Sequence, residues 1–345
     1  MNRNTGLTRL LLILNIFPAL ILGLVCVIAY YPIDPLPLLD VLGLITPVLV
    51  SVNLMFLLYW GFQRRWYVLV PFIPLLIGFL SFGSIYQINT QSNDAHFDKE
   101  ISILSYNVKG FSSYNRHDSP NIVDDKIIEF VKEQDPDIIC FQEFSWIRAR
   151  QVSHYPFKYW TPFSSKRVKQ AIFSKFPIVG NGSLDLPNTS NNAIYADIVY
   201  EKDTLRVYNI HLESYWIRSF RSLLKKNAGV DFLKRLQYTA SKHREQARIL
   251  QGHREKSPYP SIFCGDFNQT PYSPSYKILN SGMQDSFRER GQGWGTTFIR
   301  NIISARIDFI LADSKAFEVL EHRNFDLRAS DHLPVMARLD LKSDQ

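Results

Sequence analysis

The sequence predicts an α/β protein in which three apolar helices precede a two-sheet sandwich. Three observations predict it. Residues 10–31, 41–62 and 66–88 form long runs without a charged side chain. From residue 99 onward, many short runs rich in β-branched and aromatic residues are separated by few helical patterns, as in a layered α/β domain. Polar residues of matching kind stand at six of those strand ends, where sites on layered folds gather.

Each apolar run has at least about 20 residues, enough to cross a hydrocarbon core ~30 Å thick. Asn15, Pro18, Pro47, Pro71 and Pro74 interrupt the runs, and spanning helices tolerate such residues. Arg3 and Arg9 before the first run also suit the basic flank of a secretory signal. Against a signal stand the length of the run, the poor cleavage site Ala29-Tyr30-Tyr31-Pro32, and the two runs that follow. Arg64-Arg65 lie between the second and third runs, whereas the 32–37 loop carries only Asp34. The bias of basic residues toward the cytoplasm then expects a multi-pass integral membrane protein with its N-terminus inside and everything after residue 88 outside. Trp60, Trp66, Tyr67 and Tyr30-Tyr31 fall where an aromatic belt would lie. Residues 89–98, NTQSNDAHFD, are polar and weakly patterned and read as a linker to a folded domain at 99–341.

Of 39 Lys and Arg against 32 Asp and Glu, four and three fall in residues 1–96, leaving 35 against 29 beyond them. A surplus of six favours a nuclease but is too small to decide, because proteins near anionic membranes carry the like. The three cysteines, Cys26, Cys140 and Cys264, lie in apolar runs without metal-thiolate spacing and imply no disulfide framework.

Along the domain, ISILSYNV at 101–108 alternates as a strand ending at Asn107. Apolar residues 122, 123, 127, 128, 130 and 131 share a helix face that Asp135-Pro136 stops. DIICFQE at 137–143 is a buried strand closing on Glu143, and further strands are expected at 159–163, 171–173, 193–200 and 205–212, the last carrying His211. Residues 214–256 read as helical and basic. In SIFCGDFNQT, 261–270, an apolar strand is expected to break at Gly265 and present Asp266 and Asn268. A short helix at 275–279 and strands at 306–311 and 335–341 complete the domain, with Ser330–Pro334, SDHLP, before the last.

Taken singly, these polar residues are ordinary turn caps, solvated strand ends or structural histidines; together they suit phosphate ester hydrolysis. A hard oxygen ligand such as Glu143 favours Mg²⁺ or Mn²⁺. Two histidines and two acids can move protons in and out, while an amide such as Asn268 donates to an oxygen that gains charge.

The ordered series SYNVKG, FQE, NIHLES, GDFN, RIDFIL and SDHLP resembles the endonuclease/exonuclease/phosphatase superfamily, which includes DNase I-like nucleases, sphingomyelinases and inositol-phosphate phosphatases. The resemblance spans about residues 99–341. It implies a four-layered, DNase I-like α/β sandwich and a divalent metal. By motif it makes Glu143 the principal metal ligand, helped by Asn107, and places Asp331 toward a second metal position or the nucleophile. Asp266 would orient the attacking water, Asn268 would bind a phosphoryl oxygen, Asp308 would pair with His332, and His211 would lie across the phosphate. Which histidine protonates the leaving group stays open.

One stretch departs from the pattern: residues 214–242 add Arg218, Arg221, Lys225, Lys226, Lys234, Arg235 and Lys242 around one acid, Asp231, with interleaved aromatics. Such a stretch suits a nucleic-acid backbone, anionic lipid headgroups or a plain solvated helix; Arg218, Arg221 and Lys225 are its candidate substrate contacts. The expectation is a membrane-anchored, metal-dependent phosphohydrolase, a phosphodiesterase acting on lipid, nucleic acid or a soluble ester outside the cytoplasm. The bilayer and the substrate are its expected partners, and no protein partner is implied. Its competitor is a catalytically silent membrane module for phosphorylated ligands, whose signature would be a missing Glu143, Asp266 or His332; none is missing.

Overall fold

A computed structural model of the chain describes residues 5–33, 36–89, 100–111, 120–145, 151–152, 154–162, 164–215, 228–300 and 303–342. The expected linker lies outside them except for Asn89, as do Arg218, Arg221 and Lys225. Two compact units emerge, one of Met1–Ile85, Tyr215–Arg244 and Gln269–Lys277, the other of Tyr86–Ser214, Glu245–Asn268 and Ile278–Gln345.

In the first unit, α1 (Thr5–Tyr30) leads through a 3-10 segment (Pro37–Ile45) to α2 (Thr46–Phe62) and α3 (Leu69–Phe82). Gly6–Tyr30 and Pro37–Phe62 are long and apolar enough to cross a membrane. Trp66–Phe82 is apolar but shorter, so the expected third span of 66–88 is cut back. Gly83 closes α3 at φ 73, and Gln87–Ile88 become a strand, β1. Trp60 also departs from expectation: it is buried, its indole donating to Asn15 Oδ1 at 3.0 Å, rather than standing in an outer belt. Buried Leu22, Val25, Cys26, Leu49, Phe82 and Tyr272 pack together. At one end of the helices, Arg244 donates to both oxygens of buried Asp40 and to Ile33 O. Lys277 there donates to the Tyr30 hydroxyl at 3.0 Å and to Ser81 O at 2.7 Å.

The second unit opens with β1, β2 (Glu100–Asn107), α4 (Pro120–Gln134), β3 (Ile138–Gln142), β4 (Phe157–Trp160), β5 (Ala171–Ser174), β6 (Ile178–Leu184), β7 (Asn192–Tyr200) and β8 (Asp203–His211). A long helix, α5 (Ala228–Glu255), enters it from Glu245 onward. There follow β9 (Ser261–Asp266), α6 (Pro274–Leu279), whose residues up to Lys277 belong to the first unit, then β10 (Met283–Asp285), α7 (Ser286–Arg290), β11 (Gln292–Gly293), β12 (Phe298–Arg300), β13 (Ile303–Ala305), β14 (Asp308–Asp313), β15 (Phe317–Asn324) and β16 (Val335–Leu341). The strands form two six-stranded sheets, ordered β15-β16-β2-β3-β5-β4 and β10-β14-β9-β8-β7-β6. Two small pairs, β1-β11 and β12-β13, flank them.

Alternation explains the sandwich. Ile101, Ile103, Ile138 and Cys140 of the first sheet meet Ile194, Val207, Ile262, Cys264 and Ile310 of the second in one dry core. The other face of the first sheet packs Leu104, Tyr106, Ile139 and Phe141 against Ile127, Ile128 and Val131 of α4. Against the second sheet, His253 of α5 hydrogen-bonds the Tyr208 hydroxyl at 2.8 Å. The architecture fits a DNase I-like sandwich. β6 and β15 were not foreseen, because IVGNGSL is half exposed and carries two glycines, and FEVLEHRN mixes charges into its outer face.

Candidate active site

Register alone assembles the second sheet's share of the site. Asp266, the last residue of β9, stands opposite His211 of β8 and opposite Asp308 of β14. Gly265 does not break the strand as expected; β9 runs through it to Asp266. Its φ is 137, and a Cβ there would fall 2.0 Å from Ile210 O, so only glycine lets β9 approach β8 this closely. From the first sheet, Asn107 closes β2 and Glu143 follows β3.

These ends meet. Asn107 Nδ2 donates to Asp266 Oδ2 at 3.1 Å and to Glu143 Oε1 at 3.4 Å. His211 Nε2 lies 3.6 Å from Asp266 Oδ2 and 3.9 Å from Glu143 Oε1. His332 Nε2 is likewise 3.6 Å from Asp266 Oδ2, while its Nδ1 lies 3.1 and 3.0 Å from the two Asp308 oxygens. In the turns around this site Lys109, Glu143 and Asn268 have φ of 47, 49 and 50. Each such conformation costs roughly 1–3 kcal/mol and persists only where its surroundings impose it.

Burial and charge separate the two histidines. Burial disfavours a charged His332, but the Asp308 and Asp266 carboxylates outweigh it and raise its pKa to about 10. For His211, burial wins over Asp266 and lowers the pKa; its Nδ1 is buried without a partner among the described residues. Burial pushes Asp266 up to about 6, with His332 opposing and Asp308 adding to the rise.

Asp266, Asp308 and His332 bring ligand atoms within 4.8 Å of one another and are one group able to hold a metal ion. His332 is already committed to Asp308 as a cation, so an ion there must displace its proton. A better fit is the Glu143 side, where two carboxylates converge on a single amide nitrogen of Asn107. The Glu143 side chain is 40% exposed, so an ion can reach it from solvent. Hard oxygens of this kind suit Mg²⁺ or Mn²⁺.

Two expected site residues are otherwise engaged. The Asn268 amide donates to Leu212 O at 3.0 Å, and its backbone N–H donates to Asp266 Oδ1 at 2.8 Å, which holds that carboxylate in place. Asp331 accepts from Lys109 Nζ at 2.8 Å, and Lys109 together with burial sets its pKa: burial raises it, Lys109 and His332 more than reverse that, and the net shift is downward.

Sequence reasoning missed several supports. Thr297 Oγ1 accepts from the backbone N–H of both Ile307 and Asp308 at 3.0 Å, and its own carbonyl accepts from Leu333 N. Gln142 Nε2 donates to Asn209 Oδ1 at 2.8 Å, and Asn209 donates to Phe141 O and Ala171 O, tying the sheets together one layer below the site. Nothing local in GWGTTF or FQE distinguishes these from ordinary polar residues. Lys109 was visible within SYNVKG but had no expected role. Arg167 donates to the carbonyls of Leu186 and Thr189, and Lys169 to those of Pro162 and Ser165. Trp294 is exposed and packs edge-on against Tyr86.

Residues 104–332 match the model described as the Endonuclease/Exonuclease/phosphatase family, and residues 8–85 match a domain of unknown function, DUF8431. A search of curated proteins gave no match. Among solved structures, an endonuclease/exonuclease/phosphatase from Beutenbergia cavernae DSM 12333 is similar at 18% identity and TM-score 0.51, over 70% of this chain and 72% of that one. D. rerio TDP2 complexed with single strand DNA product aligns at 15% identity and TM-score 0.53, over 70% and 99%. The human Nocturnin catalytic domain with bound sulfate anion aligns at 17% and 0.52, over 71% and 94%.

Proposed function

Because the chain belongs to the endonuclease/exonuclease/phosphatase family, we propose that it is a membrane-anchored, divalent-metal-dependent phosphodiesterase acting outside the cytoplasm. The observation that carries the reading is the Asp266 carboxylate set between two histidines, each 3.6 Å away. When bound, a divalent ion held by Glu143 and Asn107 would neutralise the phosphate and stabilise the departing oxygen.

The protein's own groups divide the proton work. Two titratable groups whose surroundings push their pKa values apart mark an acid and a base. His332, kept as imidazolium by Asp308, donates to the leaving oxygen. Asp266, with a pKa near the neutral range, orients the attacking water and draws on its proton. His211 stays neutral and hydrogen-bonds across the phosphate. Asn268 holds Asp266 through its backbone N–H, while its side-chain amide is tied to Leu212 O.

Two apolar helices of spanning length support the anchor. The grips of Arg244 and Lys277 support a topology in which the 31–45 segment and the end of α3 share one side. Arg9, Arg64 and Arg65 belong to the other helix ends, and their basic character supports placing those ends in the cytoplasm. The tether favours a lipid headgroup, whereas the DNA product held by D. rerio TDP2 favours nucleic acid.

The test is hydrolysis by the full chain in detergent, with Mg²⁺ or EDTA, of plasmid DNA, phospholipid vesicles and bis-p-nitrophenyl phosphate in parallel. Metal-dependent release from vesicles alone makes it a phospholipase-like enzyme, and nicking of DNA alone makes it a tethered nuclease. A folded chain inert on all three overturns the phosphodiesterase reading.

A further inference from the structure

We propose that Lys109 is a resident cation of this site, its ammonium occupying Asp331 and limiting the centre to one divalent ion held on the Glu143 side. The inference rests on the metal-dependent reading above and concerns how many ions that site takes.

Geometry places Lys109 there by construction. Its backbone turns back at φ 47, followed by Gly110 at φ 66 and Phe111 at φ 60. That turn is tied to the proposed ligands themselves: the Lys109 N–H donates to Asn107 Oδ1 at 3.1 Å, and the Gly110 N–H to Glu143 O at 2.6 Å. Phe111 is buried, in edge contact with Phe141 and Phe144, and pins the turn from beneath. The side chain then reaches Asp331 Oδ2 at 2.8 Å, where the carboxylate is 11% exposed. The other oxygen, Oδ1, accepts from Ser330 Oγ at 3.4 Å. A buried carboxylate is stable only when paired, and this one is paired without a metal.

Charge leads to the same count. Four carboxylates line the site: Glu143, Asp266, Asp308 and Asp331. Among the described residues two cationic side chains answer them, with His332 against Asp308 and Asp266 and Lys109 against Asp331. Two negative charges remain, which one divalent ion balances. A second ion would have to expel the ammonium from Asp331 and would bring an excess of positive charge to a buried site.

The test counts ions without turnover. The full chain in detergent is titrated with Mn²⁺ and the bound metal measured by electron paramagnetic resonance and equilibrium dialysis. We expect one ion per chain in the wild type and in Asp331→Asn, with affinities within about threefold, and two in Lys109→Asp. Two ions in the wild type, or a tenfold weaker ion in Asp331→Asn, overturns the proposal, since Asp331 is then a ligand. Glu143→Gln separates the two readings. Loss of the single ion in that variant supports the Glu143 site, whereas an undiminished ion places the metal elsewhere and removes the basis of both.

Discussion

The side chain that does most to define this site is His332, whose charge is set by neighbours rather than by its own chemistry. Its imidazolium is stabilised against burial by Asp308, which holds Nδ1 through two oxygens, and by Asp266 beyond Nε2. The folded pKa near 10 stands above the ordinary 6.5. The pairing therefore contributes stability in full below about pH 6.5 and loses it as pH rises through about 10. In the proposed reaction the same charge would let His332 donate the proton to the leaving oxygen. Replacing Asp308 with Asn should bring the alkaline limb of the kcat profile down toward neutrality and lower kcat at pH 7 by roughly 10²–10⁴-fold. The stability difference from wild type should shrink above pH 10. A profile with an unmoved alkaline limb would remove His332 from the role of acid.

At the scale of elements, the β8–β9 ladder is where folding and chemistry share one contact. Gly265 sits against Ile210 O so closely that any side chain collides with backbone, which no rotamer can relieve. Gly265→Ala should therefore cost at least about 3 kcal/mol, combining an unfavourable positive φ with the clash, and should lower the denaturation midpoint accordingly. Because His211 and Asp266 are the next register pair along that ladder, the activity that survives should fall as well. Retention of wild-type stability would mean that β9 can shift away from β8 without loss. The same ladder shows how legible this part was. GDFN announced a site, but the break expected at Gly265 is a continuous strand with one residue in a conformation closed to side chains.

For the whole molecule, the proposed anchor carries a prediction about the side on which the domain lies. The buried Arg244–Asp40 pair and the Lys277 contacts hold one end of the first unit together. An isolated charge is costly to bury, so Asp40 in an otherwise apolar segment is tolerable because Arg244 meets it. A reporter enzyme fused after Gln345, active only outside the cytoplasm, is the outcome expected from Arg3, Arg9 and Arg64-Arg65. Reporter activity confined to the cytoplasm would invert the topology. The apolar runs were plain in the sequence, since hydropathy and length need no partners. The shortening of the third to Trp66–Phe82 was not, because its last residues turn at Gly83 and join β11.

By itself, the sequence determined the layered α/β class, the order of the motifs and the residue types of the site. Each is a local property: alternation reports a strand, and a polar residue closing an apolar run reports its end. Only the tertiary structure decided what those residues do to one another. Long-range register puts Asp266 between His211 and Asp308, and burial with neighbouring charge drives two chemically identical histidines in opposite directions. Distance alone pairs Lys109 with Asp331 across 222 residues. Electrostatics depends on separation in space and on exclusion of water, and neither is written in the order of residues along the chain.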